Sequence, residues 1–246
     1  MSSAHSRKLR IIGIVMFVCI PFVLAAWVVP AYFNKWDVVS TARGSAVCIM
    51  VWLAVCIYST LFLKYPWKER KRGFIFYWFC TAALFNIVWQ VPLVLFRSFI
   101  TQAEPTQTNL LKFSPWWGYG FADAHYGLVD KWMMSEETWW FLAIVISIVG
   151  LVLVRRGREL NGFLLLGIAG ALQAYNASLY MVYDAMTGFD NIASGSALSL
   201  ALYWGFNPLW ALTALVASIF SFQFVLRKAK ARHTAPGTQG PPESLI

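Results

Sequence analysis

The stretch FADAHYGLVDKWMMSEETWW, residues 121–140, holds four of the chain's 11 acidic residues and one of its three histidines. The carboxylates are Asp123, Asp130, Glu136 and Glu137, and the histidine is His125. An apolar run follows at once. A carboxyl group in such a place has two uses. In water it is a charge that favours a helix start. Buried, it holds its proton more tightly and becomes a general acid near neutral pH. One of Glu136 and Glu137 can enter the buried position, and the other then serves as the helix-start charge.

Amides form the second set of candidates. FNIVWQVP sets Asn86 and Gln90 four residues apart on one helix face. LQAYNASLYMVYD sets Gln173, Asn176, Tyr180 and Asp184 on another, at offsets of 3, 7 and 11. YWGFNPLW aligns Tyr203, Asn207 and Trp210. Amides of this kind can simply join helices through hydrogen bonds. Three helices that each pair an amide with an aromatic on one face predict something more, a cavity with polar and aromatic walls for a mostly apolar ligand. No spacing of His and Cys suits a metal or haem, and no cofactor motif is present. The four cysteines lie in apolar runs and read as small buried residues.

The elements that hold these residues are membrane helices. The 246 residues are 59% hydrophobic and 13% charged, about half the charged share of a soluble domain. Six segments are long and apolar enough to cross a bilayer: 11–33, 46–63, 73–96, 138–154, 162–183 and 197–226. The fold class expected is therefore all-α, a polytopic six-helix membrane bundle. Pro21, and Pro30 after it, should kink the first span, and Pro208 should bend the last. The net charge of +9 comes from alternate loops. Arg7, Lys8 and Arg10 precede the first span. Lys64, Lys68, Arg70, Lys71 and Arg72 follow the second. Arg155, Arg156 and Arg158 follow the fourth, and Arg227, Lys228, Lys230 and Arg232 follow the last. Such alternation marks cytoplasmic loops rather than a nucleic-acid surface, and it puts both termini in the cytoplasm. The one long connection, 97–137, then lies on the far side, with its aromatic SPWWGYG at the membrane interface or over the bundle mouth. The Pro- and Gly-rich tail, 229–246, reads as disordered.

Several of these stretches, in order, resemble the emopamil-binding protein family of EXPERA-domain proteins, which includes the sterol Δ8–Δ7 isomerase. WWGYGFADAHYGLVD is similar to the family's aromatic loop, SEET to its helix start with a glutamate before threonine, LQAYNASLY to its Q-x-Y-x-x-x-L-Y segment, and FNPLW to its N-x-L-W segment. The likeness implies an EXPERA-like domain over 44–228, preceded by a 1–10 tail and an added span and loop over 11–43. It implies that Glu137 is the principal acid or base, with the loop carboxylates Asp123 and Asp130 as catalytic partners and Tyr126 as a substrate contact. It also implies substrate contacts from Gln173, Tyr175, Tyr180, Asn207 and Trp210, with Asn86 and Gln90 orienting substrate or water. Glu136 is left as the helix-start charge. One departure stands out. The family isomerase carries a histidine and, four residues on, a glutamate where this chain has Asn86 and Gln90, and neither amide exchanges a proton near neutral pH.

Two functions follow as expectations. The first is an isomerase acting on a sterol or polycyclic terpenoid by proton transfer through a carbocation, with aromatic faces steadying the charge. Related acid chemistry, a cyclisation or epoxide opening, falls in the same class. The second is a non-catalytic sterol- or lipid-binding protein, which the amide pair favours. A transporter ranks below both, because no inverted repeat is evident. The expected partners are a hydrophobic small molecule (a sterol, a terpenoid or a cationic amphiphile), membrane lipid and a second copy of the chain as a homodimer. No nucleic acid is expected. The membrane would be the endoplasmic reticulum in a eukaryote or the inner membrane in a bacterium.

Overall fold

Among the described residues, six helical segments are long and apolar enough to cross a membrane: Ile11–Phe33, Val38–Phe62, Trp67–Leu95, Thr138–Arg155, Glu159–Met186 and Ala197–Ala231. The computed structural model describes residues 3–128 and 131–234, and among these there is no strand. The protein is an all-α polytopic membrane bundle.

The first span is two helices, α1 (Ser3–Val18) and α2 (Ile20–Phe33). The break falls at Cys19, one turn position before Pro21 enters the new helix. Pro30 stays inside α2. Next comes α3 (Val38–Ser59), which starts eight residues before the expected 46. Asp37 explains the early start, since its side chain accepts from Ser40 N at 2.7 Å and caps the helix. After a 3-10 turn, α4 (Trp67–Phe85) runs into a π-helical turn, Asn86–Gln90, and then α5 (Val91–Leu95).

The connection read as a loop is largely helical: α6 (Arg97–Thr101), α7 (Gln107–Gly120) and α8 (Ala124–Leu128). Thr106 caps α7 through Asn109 N. This helix lies against α3 at close range. A Cβ on Gly118 would sit 2.4 Å from Ala42 O, so only glycine permits the contact. Gly118→Ala should therefore push α7 off α3 at a cost of about 1–3 kcal/mol. A lower midpoint in thermal unfolding of the purified protein would show it.

The last three helices, α9 (Lys131–Arg155), α10 (Glu159–Met186) and α11 (Ala197–Thr234), pack side by side in chain order. Gly157, at φ +81°, makes the tight α9–α10 turn in a conformation few other residues adopt. Instead of becoming a disordered tail at 229, α11 continues to Thr234. The run LRKAKAR is rich in strong helix formers, which overrides the loss of apolar character. At this end Glu159 joins Arg72 of α4 and Lys228 of α11, the latter at 2.5 Å. The core holds Phe74, Trp78, Phe79 and Leu166, all essentially buried, while Phe22, Val55, Val145 and Leu212 face outward as lipid-facing residues do.

Candidate functional site

Where α4 gives way to the π turn, the helix widens and Pro92 removes one backbone donor. One carbonyl of the turn, Trp89 O, accepts from the Trp116 indole of α7 at 2.9 Å. That bond fixes α7 over the turn and faces Gln90 inward, where it is buried. Four further helices close a small cavity around it. Tyr126 comes from α8, Glu136 and Trp140 from successive turns of α9, Tyr180 from α10, and Phe206, Asn207 and Trp210 from α11. The cavity leaves about 30 Å³ for the centres of water molecules. One water needs roughly 10–15 Å³, so the space suits one or two waters or a single small group of a ligand.

Among the described residues Glu136 is the only carboxylate on this wall, and no Lys, Arg or His of theirs lies on it. It is 5% exposed, and its Oε2 is buried without a hydrogen-bond partner. Burial pushes its carboxyl above the ordinary value of 4.5. The group is thus built to hold a proton in an apolar setting. Glu136 is not the solvated helix-start charge that the sequence suggested. Its neighbour four residues on, Trp140, explains why: the two share the face of α9 that meets the other helices.

Aromatic rings surround the space. Trp210 is central, with ring centroids of Trp78 at 4.7 Å, Phe206 at 5.1 Å, Phe85 at 5.4 Å and Trp140 at 5.8 Å. Such faces attract a cation by their quadrupoles. Two nitrogens on the wall are buried without an acceptor, Asn207 Nδ2 and Trp210 Nε1. The Asn207 amide is oriented by Tyr119, whose hydroxyl donates to Oδ1 at 2.9 Å.

A polar layer stands behind Tyr180. Its hydroxyl donates to Asp123 Oδ2 at 2.5 Å. Asp123 is fully buried and also accepts from Asn191 Nδ2 at 2.9 Å and His125 N at 3.0 Å. Burial raises its carboxyl above 3.8, and these three donors oppose the rise. Main-chain bonds from Ala124 N to Asn191 O and from Ala193 N to Ala122 O zip the two loops together. Beside them Tyr203 donates to Asp184 Oδ2 at 2.6 Å, and His125 Nε2 lies 3.6 Å from Asp184 Oδ1. Asp123 is a clamp here and not a wall residue. Asp123→Ala should leave the Tyr180 hydroxyl and the Asn191 amide unpaired, each at about 1–3 kcal/mol. A lowered unfolding midpoint, with faster proteolysis near residue 190, would reveal the loosened loops.

A larger hollow lies between α3, α4 and α11, with about 270 Å³ for the centres of water-sized molecules. Its wall is almost wholly apolar, including Met50, Leu53, Trp78 and Leu209. The Tyr58 and Thr213 hydroxyls on it satisfy each other at 2.7 Å. Phe206 and Trp210 belong to both spaces and separate them.

Of the residues singled out in the sequence, Gln90, Tyr126, Tyr180, Asn207 and Trp210 meet at the small cavity. The others are placed differently. Gln173 is fully buried but spent on joining helices: it accepts from Trp78 Nε1 at 3.1 Å and donates to Ser147 Oγ at 3.4 Å. Tyr175 is 66% exposed on the opposite face of α10, because two residues along a helix turn the side chain about 200°. Asn86 is buried behind the wall, where its amide nitrogen donates to Ala82 O at 2.9 Å. Asp130 and the side chain of Glu137 lie outside the described residues. Sequence reasoning gave Glu136 the helix-start role and did not single out Trp140, Phe85 and Phe206. The i, i+4 pairs Glu136–Trp140 and Phe206–Trp210 were the available signal. Among the described residues no cluster of His, Cys, Asp or Glu could hold a metal ion. No family model, curated protein or solved structure matches the chain.

Proposed function

We propose that the protein is a membrane-embedded isomerase of EXPERA-like type that shifts a double bond in a sterol or polycyclic terpenoid. The observation that carries this reading is Glu136, a buried carboxyl whose burial favours the protonated form, with no basic partner among the described residues and set among aromatic rings. A single carboxyl group suffices for the reaction. Its O–H proton passes to one alkene carbon, and the π electrons form the new C–H bond. The adjacent carbon becomes a cation, which Trp210 and Trp140 steady. The carboxylate then takes a proton from the neighbouring carbon on the other side. That C–H pair closes the new double bond, and the carboxylic acid is restored. The missing His–Glu pair at 86 and 90 is not needed on this route, and Gln90 serves to orient. The Lys- and Arg-rich ends face the cytoplasm.

The second reading, a non-catalytic sterol or lipid binder, is favoured by the two amides where the resembled isomerase has exchangeable groups. Membranes containing the protein, incubated in deuterated water with a panel of sterol and terpenoid alkenes, separate the two. The isomerase reading expects deuterium at the newly saturated carbon together with a displaced double bond. Saturable ligand binding with neither change across the panel would leave the binder.

A further inference from the structure

The wall of the small cavity contains an unmatched set of hydrogen-bonding atoms. Asn207 and Trp210 are 7% and 8% exposed, yet Asn207 Nδ2 and Trp210 Nε1 have no acceptor. A buried N–H without a partner costs about 1–3 kcal/mol. The cost is avoidable for Trp210, since a phenylalanine would keep the ring contacts with Trp78, Phe85, Trp140 and Phe206. The Asn207 oxygen accepts from the Tyr119 hydroxyl, which leaves Nδ2 as the atom without a partner. The two residues are three apart on α11 and so share a face, and both line the same void. No protein acceptor lies within hydrogen-bond distance of either N–H, and the open space beside both is this void. Its size fits one oxygen and little more. A carbonyl oxygen has two lone pairs and matches two donors.

We propose that Asn207 and Trp210 form a subsite for one ketone oxygen of a hydrocarbon ligand. The inference rests on the reading of this cavity as the reacting site and narrows its substrate to an unsaturated polycyclic ketone.

The test is competition at the purified full-length protein in lipid nanodiscs. Tritiated 5α-cholestan-3-one is the probe, and 5α-cholestan-3-one and 5α-cholestane are the competitors, identical but for the oxygen. The ketone should compete at least about 10-fold better, as two hydrogen bonds imply. Trp210→Phe keeps the ring and removes the N–H, and Asn207→Leu keeps the side-chain size and removes the amide donor. Each should cut the preference several-fold while the affinity for the hydrocarbon stays within about twofold, which also reports an intact hollow. Equal competition by ketone and hydrocarbon, or a preference that survives both substitutions, would overturn the subsite. Ketone preference without deuterium wash-in would support the subsite and remove only the isomerase. Wash-in on oxygen-free alkenes without ketone preference would do the reverse.

Discussion

Replacing Glu136 with glutamine is expected to lower turnover by about 10²–10⁴-fold, the usual contribution of a positioned general acid. Glutamine keeps the shape and hydrogen-bonding reach of the side chain, so ligand affinity should change little. The loss should appear in kcat and leave KM nearly intact. The same residue sets a pH dependence of definite sign. Burial raises the Glu136 carboxyl above 4.5, and the donor exists only while the group is protonated. The rate should therefore be highest at low pH and fall as pH rises through the raised value. Stability follows the same direction by linkage. A carboxyl with a raised folded-state pKa contributes fully below its unfolded value of about 4.5 and loses that contribution as pH rises through the folded value. Glu136→Gln removes the titrating group. Its unfolding midpoint should exceed that of the native protein at high pH, and the difference should vanish at low pH. Parallel melts across a pH series check this.

Trp210→Ala should be the most damaging change to the core near the site. Four aromatic rings contact Trp210, at 4.7 to 5.8 Å between centroids. Deleting the indole removes all four contacts and leaves a void that helices on several sides cannot fill. Large-to-small changes of this kind cost about 3–5 kcal/mol. The void would also merge the apolar hollow with the polar cavity, since Trp210 is part of the wall between them. Ligand selectivity should fall with stability. Trp210→Phe separates the two roles, because it restores most of the ring packing without the N–H. An unfolding titration in mixed micelles should place the alanine variant far below the native protein and the phenylalanine variant close to it.

The six spans and their order were readable because apolar runs of about 20 residues have few other uses. Their ends were less so. The start of α3 is hidden in VVSTARGS, where small polar residues lower the hydropathy although Asp37 caps the helix. The end of α11 is hidden in LRKAKAR, where charge masks helix propensity. The helical content of 97–137 was missed because α7 is held by Gly118 against Ala42 and by Trp116 on Trp89 O, contacts with distant residues.

The candidate site divides in the same way. One face of α10 was legible from its spacing, and Gln173, Asn176, Tyr180 and Asp184 are all buried. What each does was not legible, since Gln173 meets Trp78 and Ser147 while Tyr180 meets Asp123. The choice between Glu136 and Glu137 turns on about 100° of helix rotation. Only the position of α9 among its neighbours decides that, and no local pattern in SEET encodes it.

This choice is also where the account is most exposed. Deuterium wash-in from solvent, measured side by side for the native protein, Glu136→Gln and Glu137→Gln on the same alkene substrate, tests it directly. If Glu136 is the proton donor, the first variant loses wash-in by at least about 100-fold while the second retains most of it. Wash-in that survives in Glu136→Gln and disappears in Glu137→Gln would contradict the account and return the chemistry to the neighbouring carboxylate.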